Sequence, residues 1–153
     1  ELSLKARSRS DRSKIDWADF SKEEYQTDYI SVEHIYPQRA RAQYWTDRFG
    51  KLSSTEKRRL RNSLGNLLAL STPKNASLSN KSFPEKVGIA GSTVGYRFGS
   101  YSENEVALET DWSPAEIMER GIRMLSFMES HWHLSIGDRN QKLKALGFKN
   151  TAT

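Results

Sequence analysis

Short apolar runs alternate with polar, turn-rich stretches along the middle of the chain, and two of these runs predict strands. The β-branched stretch DYISV at 28–32 is typical of a strand. LGNLLAL at 64–70 turns at its Gly-Asn pair and then becomes apolar, which indicates a second strand. We expect segments 28–33 and 67–71 to form a small antiparallel pair, with helices inserted between them.

Three segments carry the start or stop signals of helices. QRARAQYWTDRF at 38–49 predicts a helix that Gly50 ends. SSTE at 53–56 and SFPEK at 82–86 have the capping-box spacing, in which a serine and a glutamate three residues later satisfy free N–H groups of the first turn. We therefore expect a second, basic helix in EKRRLRNS and a short helix at SFPEK.

The segment at 113–132 gives the clearest helix prediction. Ser113 is placed to cap it, Pro114 occupies the first helical position, and Glu116 completes a capping box. Apolar residues at spacings of three and four predict a face that packs into the core. That face comprises Ile117, Met118, Ile122, Leu125, Met128 and Trp132. We expect one more short helix in the tail.

The remaining segments complete the prediction of an α+β domain that is mostly helical around a short antiparallel β-hairpin. Residues 71–83 are turn-rich and polar, and the Gly/Ser-rich residues 88–102 predict a loop. Residues 1–27, which begin with a Ser/Arg/Lys-rich stretch, predict a basic linker. The folded domain is expected over 28–133, and the tail over 134–153.

Composition and charge exclude several classes of protein. The chain has 153 residues and no cysteine, which excludes disulfides and thiolate-bound metals. No apolar run reaches about 18 residues, so we expect no membrane span. The formal net charge is +5, and Lys and Arg crowd the stretch 39–61. This balance favours a polyanionic partner, although a solvated helix face explains the basic run equally well.

His34 lies in VEHIYPQ, at the predicted end of the first strand. Its imidazole, with a reference pKa of about 6.5, can act as a general base at neutral pH. The neighbouring Glu33 offers a carboxylate and Asn75 an amide carbonyl, and Mg²⁺ binds such hard oxygens together with phosphate and water. Phosphodiester cleavage needs a base, a divalent metal and cations along the backbone, so these side chains are candidates for that reaction.

Three sequence blocks carry a resemblance to a known family. EHIYPQ, LGNLLAL and NASLSNKSFPEK occur in this order between residues 33 and 86. Together they resemble the HNH (ββα-metal) nucleases, in particular the C-terminal nuclease domain of GmrSD-type modification-dependent restriction enzymes. Trp112, Ile117 and Arg120 also look like the late Trp…Ile-x-x-Arg helix of that family. The resemblance covers roughly residues 28–132.

The resemblance implies a role for each matched residue. His34 would be the general base, Glu33 a metal ligand, and Asn66 a catalytic-site residue that braces the loop and orients His34. Asn75 would be a catalytic residue and the second metal ligand, at a position that is often histidine elsewhere in the superfamily. Hard oxygen ligands favour Mg²⁺, with Mn²⁺ as the alternative, over Zn²⁺. The expected DNA contacts are Lys74, Asn80, Lys81, Lys86, Arg39, Arg41, Arg58 and Arg59. Asn80, Lys81 and Lys86 could instead brace the loop, and the three lysines could equally be solvated.

The implied function is that of a metal-dependent DNA endonuclease, the C-terminal effector of a bacterial anti-phage, modification-dependent restriction protein. Its partners would be DNA and an N-terminal ParB-like nucleotide-hydrolysing domain, in the bacterial cytoplasm and without a membrane. Because the chain begins at Glu1, we expect it to be a fragment of that longer protein. A single site favours nicking, whereas cutting both strands would need a homo-oligomer or two events.

Other interpretations of the same residues stay open at this point. The domain could bind nucleic acid without cleaving it, or it could be a structural or regulatory domain whose partner is a protein. His34 could be a packed core residue, Glu33 a surface carboxylate and Asn75 only a helix N-cap. Asn66, which follows a glycine, could be only a turn residue. Tyr44 and Trp45 could stack on bases, although packing in the core is the favoured interpretation.

Overall fold

The computed structural model describes residues 31–148 of the chain. These residues form two strands and seven α-helices, an α+β arrangement that is mostly helical, as predicted. No helix among them is long and apolar enough to cross a membrane. The elements are β1 (Ser31–His34), α1 (Gln43–Phe49), α2 (Ser54–Asn62), β2 (Leu67–Leu70), α3 (Thr72–Leu78), α4 (Phe83–Val87), α5 (Tyr101–Ala107), α6 (Pro114–Trp132) and α7 (Arg139–Ala145).

The two strands form the predicted antiparallel pair. Ser31 lies opposite Leu70, and His34 lies opposite Leu67. The first strand therefore extends through His34, and residues 28–30 of the predicted strand lie outside the described residues. Alternate residues of β2 are buried, as expected for a sheet with one face on the core.

The predicted helix at 38–49 is wrong over its first five residues, because α1 begins at Gln43. Ala42, before the first helical residue, has an extended backbone, and residues 39–41 form a turn. Gly50 caps the end of α1, and α2 has the predicted capping box. The chain thus leaves β1 through an irregular segment rather than entering a helix at once.

Two segments predicted as irregular contain helices. Residues 72–78 form α3, which has Pro73 in its first turn and is anchored by the buried Leu78. The predicted loop at 88–102 contains a single 3₁₀ turn and ends where the capping box of α5 begins. Both helices are seven residues long, so packing rather than intrinsic propensity stabilises them.

The three remaining helices follow the predictions, with one difference. The short α4 has the capping box expected of SFPEK, and α7 is the short helix expected in the tail. The long α6 begins with the predicted serine cap and proline. Its apolar face is buried at Ile117 and Leu125, but Trp132 at its end is 53% exposed and does not reach the core.

Aromatic rings fill the core between the sheet and the helices. Tyr36 stacks on Phe49 with ring centres 3.8 Å apart, and Phe83 stacks on Trp112 at 5.3 Å. Trp45 is only 1% exposed and lies against Tyr36. The favoured interpretation of Trp45 as a core residue is therefore confirmed.

The turn before β2 packs tightly against α6. A Cβ atom on Gly65 would collide with the backbone carbonyl of Ile117, so only glycine permits this approach. From α6, the guanidinium of the buried Arg120 donates to the carbonyl oxygens of Gly65 and Leu67, at 2.9 and 3.0 Å. The long helix thus fixes the segment that carries Asn66.

Glu129, near the end of α6, closes the turn into α7. Its Oε1 accepts hydrogen bonds from the backbone N–H groups of Ile136 and Gly137, both at 2.7 Å, and its Oε2 pairs with Lys142 at 2.5 Å. The hydrogen bond from Lys142, together with those from the backbone, lowers the pKa of Glu129 from 4.5 to about 2.

This depressed pKa predicts a pH-dependent contribution to stability. The contribution is complete above the unfolded-state pKa of 4.5 and is lost as the pH falls through about 2. We expect Glu129→Gln to lower Tm at neutral pH, and the difference from wild type to shrink as the pH falls through that window. Thermal melts followed by circular dichroism at several pH values check this.

The control for that experiment is Glu119→Gln on the same helix. Glu119 pairs with Arg139, but both side chains are about half exposed, and exposed pairs contribute little to stability. The Tm of Glu119→Gln should therefore differ less from wild type than the Tm of Glu129→Gln. A Tm deficit of Glu129→Gln that stays constant down to pH 2 would disprove the role assigned to this carboxylate.

Candidate active site

An open cleft of about 150 Å³ lies at the end of β1. One side is formed by β1 and the segment after it, and the other by α3 and its end. Four residues predicted from the sequence, Glu33, His34, Asn75 and Asn80, meet at this cleft. Up to 47 positions separate them in the chain. The lining residues are Val32, Glu33, His34, Pro37, Gln38, Asn75, Ser79 and Asn80.

His34 is the last residue of β1 and is half-buried at the cleft. Its backbone carbonyl accepts a hydrogen bond from Lys86 Nζ at 3.0 Å. His34 lines an open cleft and is only half-buried, so it does not belong to the core. The interpretation of His34 as a packed core residue is therefore wrong.

Asn66 is fully buried and braces the segment that follows His34. Its Oδ1 accepts hydrogen bonds from the Tyr36 N–H at 2.8 Å and from Trp112 Nε1 at 3.1 Å. Its Nδ2 donates to the carbonyl oxygens of Tyr36 at 3.0 Å and Arg61 at 2.9 Å. All four hydrogen bonds of the amide are thus made within the protein, so Asn66 holds the segment after His34 and has no group left for a substrate.

Glu33 borders the cleft, but its side chain is only 3% exposed. Its Oε1 accepts hydrogen bonds from Lys86 Nζ at 2.6 Å and from the Tyr96 hydroxyl at 2.8 Å. Among residues 31–148, none donates a hydrogen bond to Oε2. The interpretation of Glu33 as a surface carboxylate is wrong.

The two partners of Glu33 are themselves buried, and their pKa values shift accordingly. Burial lowers the pKa of Lys86, and the negative charge of Glu33 opposes this effect. Burial, reinforced by Glu33, raises the pKa of Tyr96 well above its usual value. The Tyr96 hydroxyl therefore keeps its proton at neutral pH and remains a hydrogen-bond donor to Glu33.

Asn75 lies inside α3, so its interpretation as a helix N-cap is wrong. Its Nδ2 donates to the hydroxyl of Ser31, at the start of β1. This bond orients the amide, and Oδ1 is the atom of the side chain that can bind a cation. A helix and a strand thus bring the Asn75 carbonyl and the Glu33 carboxylate to one cleft.

The donor atoms at the cleft suit a hard divalent cation. No group of three or more His, Asp or Glu side chains within 31–148 could hold a metal by itself. The Glu33 carboxylate and the Asn75 carbonyl supply oxygen ligands, and Mg²⁺ commonly binds to one or two protein oxygens, with water and phosphate as its other ligands. The residues therefore fit an ion such as Mg²⁺ or Mn²⁺ that takes most of its ligands from outside the protein.

The residues predicted to contact DNA fall into two groups. Six of the predicted contact residues are exposed: Arg39, Arg41, Arg58, Arg59, Asn80 and Lys81. Lys74, whose side chain is 15% exposed, forms an ion pair with the buried Glu103 of α5. Lys86 is 0% exposed and pairs with Glu33, so its predicted contact with phosphate is wrong. The local sequence around a lysine does not indicate whether its ammonium group will be buried.

Three polar residues at the site were not predicted as site residues. Gln38 and Ser79 line the cleft, and Tyr96 holds Glu33. Gln38 stands inside the first sequence block and Ser79 inside the third, so these blocks could have indicated them. Tyr96 lies in the Gly/Ser-rich segment, far from Glu33 in sequence, and nothing in its local pattern indicates this contact.

The backbone of Ser79, at the end of α3, has φ 44° and ψ −130°. Such a conformation costs a residue with a side chain about 1–3 kcal/mol. We expect Ser79→Gly to raise the free energy of unfolding by about 1 kcal/mol, since glycine relieves this strain. Urea denaturation measures the change.

Ser79→Ala is the matched control because it removes the hydroxyl but keeps the Cβ atom. Its stability should stay within about 0.5 kcal/mol of wild type. If Ser79→Gly is no more stable than Ser79→Ala, the backbone at this position is not strained in solution.

Comparison with known proteins identifies a family for this chain. The chain matches the family described as GmrSD restriction endonucleases, C-terminal domain, over residues 2–127. No curated protein and no solved structure matches it. The matched range contains every residue of the cleft and confirms the resemblance drawn from the three sequence blocks. The chain therefore belongs to the family of C-terminal domains of GmrSD restriction endonucleases.

Proposed function

We propose that this domain is a metal-dependent DNA endonuclease of the HNH (ββα-metal) type. The proposal rests on one observation above all: His34, Glu33 and Asn75 border the same open cleft. A base and two oxygen ligands are the parts that hydrolysis of a phosphodiester requires. The family match, to restriction endonucleases, supports DNA as the substrate.

In the proposed reaction, a neutral His34 ring nitrogen accepts a proton from a water molecule. The water oxygen attacks phosphorus, and the bond from phosphorus to the leaving oxygen breaks; this oxygen then takes up a proton. A divalent ion held by Glu33 and Asn75 would supply positive charge to the phosphate and the leaving oxygen. Asn66 contributes by holding the segment after His34 in place.

Exposed basic residues provide the DNA contacts in this proposal. Arg58 and Arg59 lie on α2, and Arg39 and Arg41 follow the cleft residue Gln38. Such contacts to phosphate position a duplex without reading its sequence. By family analogy, the longer protein would be a bacterial cytoplasmic anti-phage effector, with an N-terminal ParB-like domain as the partner that senses modified DNA.

A plasmid assay tests the proposal. Purified protein is incubated with supercoiled DNA in Mg²⁺, Mn²⁺ or EDTA, and the products are separated on a gel. We expect conversion to the open-circular form in either metal and none in EDTA. Linear product appearing together with open circles would indicate that both strands are cut, either by an oligomer or in two events.

The same preparation distinguishes the alternatives. DNA that stays supercoiled under every metal condition while the protein still binds it would favour a binding module without cleavage, or a nuclease that needs its N-terminal partner domain. Absence of DNA binding would favour a domain whose partner is a protein. Binding that weakens with salt, with a log–log slope of about −0.9 for each neutralised phosphate, supports contact with the DNA backbone.

A further inference from the structure

Lys86 of α4 is a buried cation in contact with two adjacent residues of the candidate site. Its ammonium lies 2.6 Å from Glu33 Oε1 and 3.0 Å from the carbonyl oxygen of His34. The side chain is 0% exposed, so solvent does not compete for these bonds. One side chain therefore holds both the carboxylate of Glu33 and the backbone of His34.

Stability alone does not explain this arrangement. Removing an ammonium and a carboxylate from water costs free energy that their attraction only partly offsets, and apolar residues of similar volume are often at least as stable. A methionine in place of Lys86 and an apolar residue in place of Glu33 would fill the same volume without buried charges. A buried ion pair at the edge of a cleft therefore indicates a role in orienting the carboxylate.

Tyr96 completes the arrangement from the segment before α5. Its hydroxyl donates to the same oxygen, Oε1 of Glu33, at 2.8 Å. The terminal torsion of a glutamate is otherwise broad, so two donors on one oxygen restrict how the carboxylate can rotate. Lys86 and Tyr96 hold Oε1, and no residue within 31–148 donates to Oε2, so Oε2 is the oxygen that we assign to a cation shared with Asn75.

We propose that Lys86 and Tyr96 are positioning residues that hold Glu33 in the orientation needed to bind a divalent cation, and that Lys86 also fixes the backbone of His34. This inference rests on the proposed nuclease function. It assigns to Lys86 a role in the site in place of the predicted DNA contact. Mutation of residues that orient a metal ligand typically lowers metal affinity or activity by about 10–100-fold.

Tyr96→Phe is the principal test because it removes one hydrogen bond and keeps the ring and the charge of Lys86. We expect the Kd for Mn²⁺, measured from the electron paramagnetic resonance signal of the free ion, to rise about tenfold. The Mn²⁺ concentration that half-saturates nicking should rise by a similar factor. The rate of nicking at saturating Mn²⁺ should fall by a smaller factor. Tyr101→Phe, at a buried tyrosine of α5 that does not contact Glu33, should change neither quantity.

Lys86→Met is the second variant, and it should weaken Mn²⁺ binding and also lower the rate at saturating metal, because the His34 carbonyl loses its donor. Since this variant leaves Glu33 buried beside a single donor, circular dichroism first establishes whether it folds. If it does not fold, Tyr96→Phe alone decides the question.

The outcomes separate this inference from the proposed function. If wild type binds Mn²⁺ and nicks DNA while Tyr96→Phe has the same Mn²⁺ affinity and half-saturation, the inference is wrong and the nuclease assignment stands. A lower Tm with unchanged metal dependence shows a structural role only and also overturns the inference. If wild type neither binds Mn²⁺ nor cleaves DNA, both are overturned.

Discussion

Replacing His34 with alanine is expected to abolish nicking while DNA binding persists. A positioned general base contributes about 10²–10⁴-fold to the rate, and the alanine variant should lose a factor in that range. His34 is half-buried at the edge of the cleft, so its removal leaves the core intact. The rate of loss of supercoiled plasmid at saturating Mg²⁺ or Mn²⁺ measures the effect.

The chain provides its own control for this variant. His131 lies on α6, is exposed, stacks on Phe127 and does not line the cleft, so His131→Ala should cleave at the wild-type rate. DNA affinity measured by fluorescence anisotropy should stay within about threefold of wild type for both variants, since phosphate contacts dominate affinity. Partial recovery of His34→Ala activity by added imidazole would support the role of a base. Cleavage by His34→Ala at the wild-type rate would refute it.

Replacing Asn66 with alanine is expected to give the largest loss of stability. The variant leaves two buried donors, on Tyr36 and Trp112, and two carbonyl oxygens without their partner. Each unsatisfied buried group costs about 1–3 kcal/mol, and partial relaxation limits the sum, so we expect a loss of about 3 kcal/mol or more. Urea denaturation, with the slope checked against wild type, measures it.

Two further variants test this explanation. Asn66→Asp keeps an acceptor for Tyr36 and Trp112 but places a second oxygen against two carbonyls, so it should also be destabilised. Asn62→Ala is the control, because Asn62 is exposed and makes a single bond to its own helix. Its stability should change by less than about 0.5 kcal/mol. An Asn66→Ala domain as stable as Asn62→Ala would show that the four bonds do not hold this segment.

The elements with strong local signals could be predicted from the sequence. The long helix α6 begins where the serine cap and the proline predict, at Ser113 and Pro114. SSTE and SFPEK begin helices because a capping box is a contact within four residues, which a local sequence pattern can show. The two strands pair as expected. The short α3 and α5 were not predicted, because they depend on buried anchors such as Leu78 and Val106, whose burial is decided by distant segments.

The sequence by itself determined which residue types were available for chemistry: one Glu-His pair before a proline, two asparagines nine positions apart, and no cysteine. Only the tertiary structure decided which atoms of these residues are used. It buries Lys86 against Glu33 and brings Tyr96 to the same carboxylate. It also commits the Asn66 amide to hydrogen bonds with backbone atoms and with the Trp112 ring. The physical reason is that burial and long-range hydrogen bonds join segments about 30 to 63 positions apart, and no local pattern records which ammonium or hydroxyl will meet a given carboxylate.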